Sequence, residues 1–119
     1  MWAEKTKYTA IVGTDANLVC FSRGVGHKNV TSLSWVYNET EIKNNSDRYL
    51  VRNHFDFEPD GTPKASTQLS VRNVRYADSG NYGCRIVVNL SGRTTNRDSL
   101  TLEVKAEGRK LLNEDCIMF

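Results

Sequence analysis

Five stretches of this chain alternate apolar and polar side chains with a period of two: "NLVCF", "LSWVY", "TQLSVRNV", "NYGCRIV" and "SLTLEV". Side chains on an extended strand point to opposite faces in turn, so each stretch offers one apolar row. The rows are Leu18 and Cys20; Leu33 and Trp35; Leu69 and Val71; Tyr82, Cys84 and Ile86; and Leu100, Leu102 and Val104. Two antiparallel sheets packed face to face would bury them all. Turn-forming clusters fall between the runs, namely "VGTDAN", "SRGVGHKN", "NNSD", "DGTP", "ADSG" and "LSGRTTN". No segment carries the 3.6 period of an amphipathic helix. The expectation is an all-β sandwich. After Val104 the alternation dissolves into "KAEGRKLLNEDCIMF".

The chain's 119 residues suit one domain with a single modest core. Apolar content of 39% and charged content of 25% are those of a globular protein. A net charge of +2, with Lys and Arg interleaved among acids, argues against a nucleic-acid partner, which calls for a clustered basic face. No run approaches the length of a membrane span, so no direct membrane insertion is expected. The opening "MWAEKTKY" lacks the apolar region of a signal peptide, which is equally true of cytosolic chains and mature fragments.

Cys20, Cys84 and Cys116 lie too far apart for a zinc site or a redox pair, and their odd number suggests one pair and a leftover. A bond between Cys20 and Cys84 would close a loop of about 65 residues and add roughly 4 kcal/mol in the chain-entropy model. Such a bond persists only in an oxidising compartment.

The order Cys20, Trp35, Cys84, with "YADSGNYGC" at residues 76–84, resembles the immunoglobulin superfamily over roughly residues 4–105. The resemblance is to an intermediate-set or compact variable-like domain. It implies an immunoglobulin-like antiparallel β-sandwich with one inter-sheet disulfide, Cys20 to Cys84, on which Trp35 packs. It implies a tyrosine corner at Tyr82 and an ion pair between Arg48 and Asp78. Residues 106–119 are read as a linker or terminal tail. The segment "NHFDFEPDGTPK" is longer than the resemblance leads one to expect between its strands.

The family's cell-surface members imply an extracellular, non-catalytic recognition module of a receptor or adhesion molecule, with a protein partner, homophilic or heterophilic, and no cofactor. The alternatives are a structural spacer in a larger ectodomain or matrix chain, an intracellular muscle-type domain, and a soluble ligand-trapping domain. Sequons at Asn29, Asn38, Asn44 and Asn89 mark N-glycosylation sites. Parity places Asn38 on the outer face of its strand with Val36, and Asn89 in the outer row of Arg85 and Val87, so glycans there would confine a protein contact to the sheet's centre. Val36, Arg85 and Val87 on that sheet, Val19 and Phe21 on the other, and Arg93 in the loop "NLSGRTTN" are the candidate contact residues.

Three other patterns carry less. Asp56, Glu58, Asp60 and Gly61 match the start of a calcium loop, but Lys64 and Thr67 occupy its ninth and twelfth positions, and a turn is the simpler reading. The terminal "CIMF" has the form of a prenylation box, a cytosolic modification at odds with a disulfide. His27, in a loop, and His54, after a strand, have no nucleophile or carboxylate pair nearby in sequence, so catalysis is not expected.

Overall fold

The computed structural model describes residues 1–43, 47–89 and 92–106. Asn44 and Cys116, with most of the terminal tail, lie outside them. Among the described residues there are nine strands: β1 (Trp2–Ala3), β2 (Lys7–Ile11), β3 (Ala16–Arg23), β4 (Val30–Tyr37), β5 (Thr40–Glu41), β6 (Tyr49–Phe57), β7 (Pro63–Val71), β8 (Gly80–Asn89) and β9 (Arg93–Lys105). Short 3₁₀ turns at His27–Asn29 and Tyr76–Asp78 complete the described elements.

The strands form two sheets, β1-β3-β7-β6 and β2-β9-β8-β4-β5. Every pairing is antiparallel but one: β2 runs parallel to β9. β1 and β2, joined by a three-residue bend, therefore belong to opposite sheets, so the N-terminal segment covers an edge of each. Asp98 helps hold this crossing, because its Oδ2 accepts a 2.8 Å bond from the Ala3 N–H.

All five alternating runs lie on strands, though "TQLSVRNV" leaves its strand after Val71, and the apolar rows read from them meet in the interior. Leu18, Cys20, Trp35, Leu69, Val71, Tyr82, Cys84, Leu100, Leu102 and Val104 share one core cluster, and Ile86 joins Ala65 and Val88 in a second at the far end. Leu33 is only partly buried against that second cluster. The Cys20–Cys84 disulfide joins the two sheets. A second link runs parallel to it. Trp35 pairs with Cys84 on one sheet and Thr67 with Cys20 on the other, and the Trp35 indole N–H donates to the Thr67 hydroxyl at 2.9 Å. Both side chains are fully enclosed, where an unmade hydrogen bond would be costly.

The long segment "NHFDFEPDGTPK" proves to be most of a hairpin. β6 and β7 pair from Tyr49↔Val71 to Phe57↔Pro63, and only Glu58–Thr62 turn between them. His54 thus lies within β6 and not after a strand. Likewise most of "NLSGRTTN" is strand: Arg93 to Arg97 pair with Asn89 to Arg85, because β-branched Thr94 and Thr95 favour a pleated ladder.

Candidate recognition surface

The residues around the opening motif lock one end of the sandwich. The Tyr82 hydroxyl donates to the Asp78 carbonyl at 2.7 Å, and the Tyr37 ring stacks on Tyr82 with centroids 4.5 Å apart. The Tyr37 hydroxyl lies 2.8 Å from the carbonyls of both Ala77 and Ser79. Asp78 Oδ2 accepts from the Arg75 N–H at 2.7 Å and from the guanidinium of Arg48. Both partners of that ion pair are largely sheltered. Gly80 follows with φ +142°, and a Cβ there would stand 3.2 Å from the Tyr37 ring. These contacts fix the turn that delivers Tyr82 and Cys84 into the core. Sequence reading missed Tyr37, since an aromatic at the end of a strand gives no sign of the turn it will reach.

On the outer face of the five-stranded sheet, Val36, Gly83, Arg85 and Arg97 line a shallow groove of about 890 Å³. Its floor is low because Gly83 has no side chain; a Cβ there would lie 2.8 Å from a Val36 methyl. Arg85 reaches across β4, with Nε 3.2 Å from the Ser34 hydroxyl and a guanidinium nitrogen 3.4 Å from Glu41. Arg97 pairs with Arg85 across β8 and β9, so two cations stand side by side. Val87 corrects the sequence reading: it shares the outer parity of Arg85, yet only 9% of it is exposed, so it offers little to a partner. Arg93 is exposed at the start of β9.

Asn38 also departs from expectation. It lies past the end of β4, at φ 49°, with Glu39 at φ 67°, between the paired residues Tyr37 and Thr40. Positive φ at both central positions is the type I′ hairpin geometry that Asn favours. Its side chain is exposed at one margin of the groove. Asn89 is exposed at the far end of β8, and Asn29 is half-buried at the end of its 3₁₀ turn.

The other sheet places Val19 and Phe21 outward but not bare. β1 pairs beside them, Trp2 packs edge-on against Phe21 at 4.5 Å, and the Lys64 ammonium lies 5.2 Å from the Phe21 ring centre. The Tyr8 hydroxyl lies over the Val19 backbone, 3.2 Å from its N–H and 3.3 Å from its carbonyl. Both residues are half-buried in consequence. Sequence reading missed Trp2, whose two-residue strand is too short to show a period.

The acidic turn is occupied by its own backbone. Asp56 accepts from the Phe57 N–H at 2.7 Å, Asp60 from the Thr62 N–H at 2.9 Å, and Glu58 pairs with Arg23 at 3.4 Å. The Phe57 N–H holds the Asp56 carboxyl below the usual range, and the Thr62 hydroxyl, with the Thr62 N–H second, does the same for Asp60. Among the described residues no cluster of three or more His, Cys, Asp or Glu side chains could hold a metal ion, and no helix is long and apolar enough to cross a membrane.

Comparison with known proteins fits this geometry. Residues 6–97 match the immunoglobulin domain family. No curated protein matches. Among solved structures, a chain in the complex of Dpr2 Ig1-Ig2 with DIP-Theta Ig1-Ig3 superposes with a TM-score of 0.64 at 22% identity, over 87% of this chain and 31% of that one. The N-terminal Ig1-2 module of the Drosophila receptor protein tyrosine phosphatase DLAR gives a TM-score of 0.59 at 21% identity, over 87% of this chain and 47% of that one. The chain therefore spans less than half the length of either structure it resembles.

Proposed function

Because the chain belongs to the immunoglobulin domain family, we propose that it is an extracellular, non-catalytic module that recognises a protein as part of a cell-surface receptor or adhesion molecule. The observation that carries this reading is the groove of Val36, Gly83, Arg85 and Arg97 on a rigid sheet. Its floor is apolar at Val36, and of the two arginines on its wall Arg85 is already met by Glu41, so Arg97 suits a carboxylate flanking an apolar anchor. Arginine at the edge of a well-packed apolar contact is a frequent source of binding energy. Asn38 and Asn89 stand near opposite ends of the β4–β8 pair, so glycans at both leave the centre of the sheet clear. Support for a protein partner also comes from the similar fold of modules solved within a protein–protein complex.

The test is a binding screen of a multimerised, secretory-cell-expressed domain against a panel of purified extracellular domains. The expected result is at least one protein bound, with Arg97→Glu weakening it tenfold or more and Gln68→Lys on the opposite sheet leaving it intact. No partner at all would favour a spacer, and a partner indifferent to Arg97→Glu would remove the groove from the account.

A further inference from the structure

β6 ends the four-stranded sheet, and its backbone points in two directions. Toward β7, Glu58 N–H donates to the Thr62 carbonyl and Arg72 N–H to the Arg48 carbonyl, so the even-numbered positions bond inward. Pro63, opposite Phe57, has no N–H, and its carbonyl is taken by Gly24. The odd-numbered positions Asn53, Phe55 and Phe57 therefore turn their backbone groups to the open edge, by the alternation of an antiparallel ladder. The Phe57 N–H is met by Asp56. Alongside Asn53 and Phe55 no strand lies among the described residues.

An open edge is a template for another strand. The side chains here are self-complementary. Arg52, His54 and Asp56 alternate on the outer face, all exposed. We propose that this edge binds a second copy of the chain, antiparallel, about a two-fold axis through His54. In that register Asn53 and Phe55 of the second copy exchange both backbone bonds, and Arg52 faces Asp56 of the second copy twice over, related by the axis. Shifting the register by two residues in one direction puts Arg52 opposite His54, and in the other puts His54 opposite Asp56 and Arg52 opposite Glu58, a carboxylate that Arg23 already holds. Charge pairing thus selects the register. The same register lays the exposed ring of Phe57 (68% accessible) beside the second copy's strand. This surface is separate from the groove, so either can fail alone.

Sedimentation velocity over a wide concentration range, on protein carrying Cys116→Ser so that thiols cannot link copies, tests it. The expected result is a reversible dimer that Asp56→Arg abolishes and that the double variant Arg52→Asp with Asp56→Arg restores. Asn53→Pro is the second probe. It removes an outward donor without touching the β6–β7 ladder, a place where an edge tolerates proline, and it should also give monomer with an unchanged melting temperature. A monomer at every concentration, or a dimer that survives both Asp56→Arg and Asn53→Pro, would overturn the proposal.

Discussion

Tyr82 shows how one hydroxyl can tie the stability of the molecule to pH. Its ring is 1% exposed. Burial first, then the nearby Tyr49, Asp78 and Tyr37, pushes its hydroxyl well above the ordinary value of 10.0. The folded chain keeps this proton where the unfolded chain loses it. Stability is therefore full below pH 10 and falls as the pH rises beyond it. Tyr8 and Tyr49 shift the same way, burial again leading. Tyr82→Phe removes one buried hydrogen bond and costs about 1 kcal/mol at neutral pH. It should also make the alkaline fall shallower. Melting temperatures of both proteins from pH 8 to pH 11 check this, and parallel curves would show that Tyr82 does not carry the dependence. Residues of this kind were legible because the motif names them. Thr67 was not: nothing in "ASTQLS" distinguishes a threonine that will accept a buried indole N–H from one that faces water.

At the scale of elements, alternation located the central strands well and the hairpins poorly. The apolar rows of β3, β7, β8 and β9 were plain, since each faces a core. β6 was not, because as an edge strand its burial runs in blocks, with Tyr49, Leu50 and Val51 all half-buried and Arg52, Asn53 and His54 all exposed, and its far end leaves the core. The β4–β5 turn was missed for another reason. Strand parity puts Asn38 on the outer face, but parity ends where φ turns positive, and "NET" reads first as a sequon. Glu39 now occupies a left-handed position without the freedom of glycine. That conformation costs a non-glycine residue roughly 1–2 kcal/mol, against roughly 0.5–1 kcal/mol of extra unfolded-chain freedom for glycine. Glu39→Gly should accordingly stabilise the domain by about 0.5–1 kcal/mol while keeping the sequon. Denaturant unfolding checks it, and a destabilised variant would mean that Glu39 makes a contact worth more than the strain.

For the whole molecule, the sandwich separates stability from recognition. The disulfide, the Trp35–Thr67 bond and the Tyr82 turn lie inside or at one end, leaving the groove and the β6 edge to vary. That separation is why the fold was readable in the sequence and the partner was not. Core residues answer to each other, whereas under the proposed function Arg85, Arg97 and Val36 would answer to a surface this chain does not contain. Val87 illustrates the limit: parity gives a side chain's direction but not what its neighbours cover.

The proposed function requires a module that matures in an oxidising, glycosylating compartment and presents its five-stranded sheet to a protein. Non-reducing peptide mapping of the protein from its native source tests the first half most directly. It should find Cys20 joined to Cys84, with glycan on Asn38 or Asn89. Reduced Cys20 and Cys84, with both asparagines bare, would contradict it and place this domain among intracellular structural modules.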